Sequence, residues 1–149
     1  MRAAASLIRP GVSLAVGLSA LAGWILASAG EHPAPAAGLA VLAGTFALSA
    51  AVSVLNQIQE RHLDALMERT RSRPLASGRM GAGQGLGVVG LLLALAAACL
   101  WAAFGPGSLA VIFVVLGLYN GLYTYLKPVT GWAMIPGAAC GNGNLLACL

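Results

Sequence analysis

The sequence predicts an all-α fold, a polytopic transmembrane helical bundle of four to five spans. Three observations predict it: composition, the length of the uncharged runs, and the placement of the basic residues. Of 149 residues, 59% are hydrophobic and 8% charged, with a mean hydropathy of +0.87. A soluble domain averages roughly 45–50% apolar and about 25% charged residues. Eight basic and four acidic side chains cannot cover the surface of a globule this size. That excludes an ordinary soluble domain, a disordered tail, and a nucleic-acid binder with a broad basic face. The formal charge of +4 reads instead as membrane topology.

A bilayer-crossing helix needs about 20 mostly apolar residues, with its backbone hydrogen bonds closed internally. The chain forms one transmembrane domain over residues 1–149. The first span is expected at 10–30 and the second at 34–59, continuing as helix to 68. The uncharged run from Met80 to Leu126 is long enough for two spans, 82–104 and 108–126. Gly105, Pro106 and Gly107 supply the tight turn between them. A fifth segment, 131–149, is interrupted by Pro136, Gly137, Asn142 and Asn144. Residues 1–29 also have signal-peptide features, with Arg2, an apolar run and Ala27-Ser28-Ala29. The apolar run is longer than a usual signal core and more spans follow, so it reads as a retained span. Cys99, Cys140 and Cys148 give neither a disulfide framework nor metal spacing. Trp24, Trp101 and Trp132 fall near span ends, as belt residues do.

Arg2 and Arg9 precede the first span, Arg61, Arg69, Arg71, Arg73 and Arg79 lie between the second and third, and Lys127 follows the fourth. The alternate loops hold no Lys or Arg. All basic side chains therefore fall on one side, which the positive-inside rule makes the cytoplasm. The expected location is the cell inner membrane, multi-pass, with the N-terminus and the arginine-rich loop cytoplasmic.

Polarity is concentrated between Asn56 and Leu75. On one continuous helix Asn56, Glu60, Asp64 and Glu68 recur every four residues and share a face. Like charges at that spacing repel by a few tenths of a kcal/mol, and a hard divalent cation would offset them. Mg²⁺ takes oxygen ligands, keeps several waters, and uses one or two protein carboxylates plus substrate phosphates. Asn56, Glu60 and Asp64 are the candidate metal ligands. Arg69 and Arg73, forked donors suited to phosphate oxygens, are candidates for diphosphate. Arg61, Arg71 and Arg79 read as topology determinants, Glu68 as a local arginine partner, and His62 as an interfacial side chain.

This segment resembles the first aspartate-rich motif of the UbiA-type intramembrane prenyltransferases, N-x-x-x-D-x-x-x-D followed by R-T-x-x-R-P-L-x-x-G. The chain has Asn56, Glu60, Asp64, Arg69-Thr70, Arg73-Pro74-Leu75 and Gly78 at those places. Within the family it is most similar to the haem O synthase branch, which typically carries the Met at Met67. Arg9-Pro10, Leu42, Gly44-Thr45, and the later Tyr119, Tyr123 and Lys127 of a Y-x-x-x-K motif also look like that branch. The resemblance implies the first half of a nine-helix fold. It implies Mg²⁺ as cofactor, farnesyl diphosphate as donor and protohaem IX as acceptor, giving hydroxyethylfarnesyl haem. By the same resemblance Tyr123 and Lys127 join Arg69 and Arg73 at the diphosphate, and no catalytic residue beyond that site is implied.

Three departures stand out. Glu60 replaces the commoner Asp, His62 replaces an Asp, and Pro128 replaces an Arg. The family also has a second D-x-x-x-D motif, yet no acidic residue follows Glu68 here. The expectation is a chain inactive alone, completed by a C-terminal half carrying that motif. The alternatives are an aromatic-acid or quinone-precursor prenyltransferase with the same diphosphate site, and a non-catalytic small membrane protein binding lipid.

Overall fold

The computed structural model describes residues 7–28 and 34–123, and within them the secondary structure is helical, without a strand. Helix α1 is Pro10–Ala27, α2 Pro35–Gln59, α3 Arg61–Leu66, α4 Ala82–Phe104 and α5 Gly107–Leu116, followed by a π-helical segment Gly117–Tyr123. Helices α1, α2 and α4 are each long and apolar enough to cross a bilayer. Pro10 and Pro35 open their helices in the first turn, where the missing N–H is not needed.

The long helices run up and down, with α2 in the middle. Its inward faces are built from small residues, which let two neighbours approach closely. A Cβ at Gly44 would stand 2.7 Å from Leu100 Cγ, and one at Gly38 would stand 2.9 Å from the Trp24 ring. α1 therefore docks on one flank of α2 and α4 on the other. One apolar cluster gathers Ala20, Val41, Leu48, Ala96, Leu100 and Ile112. A second, at the end where α2 finishes, gathers Leu7, Val54, Ile58, Leu75 and Val89.

The turn between α4 and α5 falls where glycine and proline predict it. Gly105 has φ 72°, a left-handed conformation glycine adopts without steric cost. Its N–H bonds Trp101 O at 2.8 Å, and Ser108 Oγ donates to Gly105 O at 2.8 Å. α5 then widens into the π-helical segment Gly117–Tyr123, and residues 124–126 of the expected fourth span lie outside the described residues. The fifth segment, 131–149, lies outside the described residues.

One expectation needs correcting. The polar stretch is not a single helix from 34 to 68. The α-helix breaks at Glu60 (φ −90°, ψ 6°), resumes as α3, and stops at Leu66, with Met67 extended at φ −96°, ψ 128°. The stop has a local cause. Thr70 Oγ1 donates to the carbonyl of Asp64 at 2.9 Å, the acceptor the N–H of Glu68 would need for another turn. Threonine hydroxyls compete with helix in this way. Met67 O instead accepts from Thr70 N and Arg71 N, which starts a series of tight turns.

Candidate active site

The last turns of α2, the kink and α3 carry the oxygen donors. Across the kink the i,i+4 backbone bonds persist, Glu60 N to Asn56 O at 2.9 Å and Asp64 N to Glu60 O at 2.8 Å. Asn56, Glu60 and Asp64 thus stay on successive turns of one side. Glu68, beyond the helix end, leaves that row. It pairs loosely with Arg71 at 3.9 Å, both largely exposed, a geometry worth little.

Repulsion within the row is relieved by neighbouring side chains. Asn56 Nδ2 donates to Glu60 Oε2 at 3.0 Å. Arg73 Nη1 donates to Asp64 Oδ2 at 2.7 Å, with Asp64 buried and Arg73 half-buried. A charge-assisted bond this short is among the stronger side-chain interactions. Arg69 lies on the same loop and is exposed, as is His62. The structure therefore brings together Asn56, Glu60, Asp64 and Arg73. Tyr123 closes the π-helical segment, its side chain lying outside the described residues, as does Lys127.

The loop is held for a reason legible only in three dimensions. Leu75 is buried against Val54, Ile58 and Val89, and a Cβ on Gly85 would stand 3.0 Å from Ile58 Cδ1 and 3.2 Å from Leu75 Cδ2. Gly78 has φ 73°, which turns the chain back towards α4. Ser77 N bonds Arg73 O at 2.8 Å and Met80 N bonds Pro74 O at 3.0 Å. Arg79 laces the loop, donating from Nε to Ser77 Oγ at 3.0 Å and from Nη2 to Ser72 O. The Pro-Leu-x-x-Gly part of the motif is thus architecture that fixes where Arg73 stands.

Sequence reasoning missed four polar residues at this end. Gln57, buried, donates to Leu7 O at 2.7 Å and pins the segment before α1 beside the end of α2. Ser13 Oγ donates to Ile8 O at 2.9 Å. Gln59 Nε2 donates to Asn120 O at 3.2 Å, bringing the π-helical segment to the same end. Asn120 itself is buried. Their only sequence signal is polarity inside apolar runs.

The donor set suits a hard cation. Among the described residues no group of three or more His, Cys, Asp or Glu side chains converges on one point. Two carboxylates and an amide are the donor types Mg²⁺ takes when phosphate oxygens and water complete its shell. Arg73, on Asp64, and Arg69, exposed on the same loop, carry the guanidiniums of this end.

The model of the UbiA prenyltransferase family matches residues 16–148. The chain belongs to that family. Among its UbiA relatives, a protoheme IX farnesyltransferase of Oleidesulfovibrio alaskensis is 44% identical over 143 residues, 95% of this chain and 49% of that protein. One from Nitratidesulfovibrio vulgaris is 43% identical over 139 residues, 92% of this chain and 47% of that protein. One from Flavobacterium johnsoniae is 34% identical over 134 residues, 89% of this chain and 44% of that protein. This UbiA chain spans about half the length of the curated relatives it matches. No solved structure matches it.

Proposed function

We propose that the protein acts in transfer of a farnesyl group from farnesyl diphosphate to a vinyl carbon of protohaem IX, giving haem O. The observation that carries this reading is the row Asn56–Glu60–Asp64 with Arg73 bonded to Asp64, in a membrane helix bundle of the UbiA family. The names of the relatives support the acceptor.

Asn56, Glu60 and Asp64 would hold Mg²⁺, directly or through water. When bound, the ion neutralises charge gathering on the diphosphate as its bond to the farnesyl carbon ionises. Arg73 offers a ready exchange: its guanidinium leaves the Asp64 carboxylate for diphosphate oxygens, freeing that carboxylate for metal. Arg69, Tyr123 and Lys127 complete the anion's contacts. The apolar helix walls hold the isoprenoid tail and keep water from the cation until it has reacted. By the positive-inside rule this end of the bundle faces the cytoplasm, in the inner membrane.

The test is calorimetric. Farnesyl diphosphate titrated into the reconstituted chain is expected to bind in the presence of Mg²⁺. Asp64→Asn should weaken that binding about tenfold or more, the worth of one charge-assisted contact. Uptake indifferent to Mg²⁺ and to Asp64 would overturn the reading.

A further inference from the structure

Seven polar or charged side chains are buried among the described residues: Ser13, Thr45, Gln57, Asp64, Thr70, Ser108 and Asn120. Six of them have partners. Ser13, Thr45, Thr70 and Ser108 each donate to a backbone carbonyl. Asp64 has Arg73, and Gln57 donates to Leu7 O. Asn120 differs. It is 4% exposed, and neither Oδ1 nor Nδ2 has a hydrogen-bond partner. A buried amide left unpaired is destabilising.

Two further observations fix its place. Asn120 lies in the π-helical segment Gly117–Tyr123, and π-helical turns are frequent at functional sites. Its backbone carbonyl accepts from Gln59, the residue before Glu60. The amide is therefore held at the end of the bundle that carries Asn56, Glu60 and Asp64.

Its chemistry narrows the ligand. A neutral amide offers one acceptor and one donor face, and the farnesyl chain and a vinyl group form no hydrogen bonds. Water both donates and accepts, and the reaction proposed above consumes one. The vinyl π electrons form a bond to the farnesyl carbon as the C–O bond breaks, its electron pair leaving with diphosphate. That leaves a carbocation on the carbon next to the porphyrin ring. A water lone pair then forms the new C–O bond, and the proton released passes to the departing diphosphate.

We propose that Asn120 holds this water, Oδ1 accepting one O–H so that the oxygen lone pair faces the carbocation. The proposal rests on the farnesyl-transfer reading. Without a held water the same carbocation loses a proton to give an alkene, so Asn120 sets the ratio of hydroxylated to dehydrated product.

The test uses the native host, with substitutions made at the gene's own locus. Membranes receive farnesyl diphosphate, protohaem and Mg²⁺ in water enriched in oxygen-18, and mass spectrometry resolves the products. Wild-type membranes should make farnesylated haem carrying the label. Asn120→Leu should still transfer farnesyl, with the hydroxylated-to-dehydrated ratio reduced about tenfold. Asn120→Asp, which keeps an acceptor, should retain most of the ratio. The unfolding midpoint of Asn120→Leu should not fall below that of wild type, since no protein hydrogen bond is lost.

An unchanged ratio in Asn120→Leu would overturn the proposal, as would a lowered midpoint with total product reduced and the ratio intact. If membranes lacking the gene transfer farnesyl as well as wild type, the farnesyl-transfer reading fails and takes this one with it.

Discussion

Asp64 and Arg73 show how residue-level energetics decide the site's resting arrangement. A carboxylate and a guanidinium at 2.7 Å, one buried and the other half-buried, are costly to separate by deleting one member, because the survivor keeps its desolvation without its partner. Asp64→Ala and Arg73→Ala should each lower stability by about 2–3 kcal/mol, and the double variant by clearly less than their sum. Unfolding in detergent followed by circular dichroism measures this; strict additivity would show that the pair contributes nothing. The four-residue spacing made the row of Asn56, Glu60 and Asp64 readable in the sequence, since local backbone bonds set it. Arg73 as the partner of Asp64 was not readable. That pairing depends on a loop whose path is set by Leu75 packing and by Gly78, neither of which announces where a guanidinium will end.

At the scale of elements, α2 is the organising helix. It carries the first donor of the row, Asn56, and the small residues on which α1 and α4 rest. A methyl at Gly44 would press on Leu100, so Gly44→Ala should cost about 1–3 kcal/mol through overpacking. The same substitution at Gly78, where nothing lies within 4 Å but φ is +73°, should cost about 1 kcal/mol through backbone strain alone. The two differ in rescue. Leu100→Ala should recover part of the loss at Gly44 and none at Gly78, as read from thermal midpoints. The apolar runs made α1, α2 and α4 legible, because a bilayer leaves helix as the simplest closure of backbone hydrogen bonds. The break at Glu60, the stop at Leu66 and the π-helical turn were hidden. Each depends on a few competing hydrogen bonds, against which a periodicity of apolar residues carries no weight.

For the whole molecule, the polar devices collect at one end. Gln57 ties the segment before α1 to α2, Gln59 ties the π-helical segment to it, and the arginine-rich loop closes over the same end. The orientation proposed from the distribution of Lys and Arg puts that end in the cytoplasm. A cysteine placed at exposed Ser72 should react with a membrane-impermeant maleimide in inside-out vesicles and stay unlabelled in intact cells. Labelling of intact cells would reverse the topology. This arrangement was half legible. Charge asymmetry supports a proposal of sidedness without contacts, whereas the ties made by Gln57 and Gln59 require knowing which helices are neighbours.

The Thr70 hydroxyl has a consequence for how the polar end of the bundle is partitioned. By bonding the carbonyl of Asp64, the hydroxyl favours a chain that folds back across the helix tip over one that continues along a rod. Thr70→Val keeps the shape and removes that oxygen. The rod would then lengthen towards Pro74, carrying Arg73 away from Asp64.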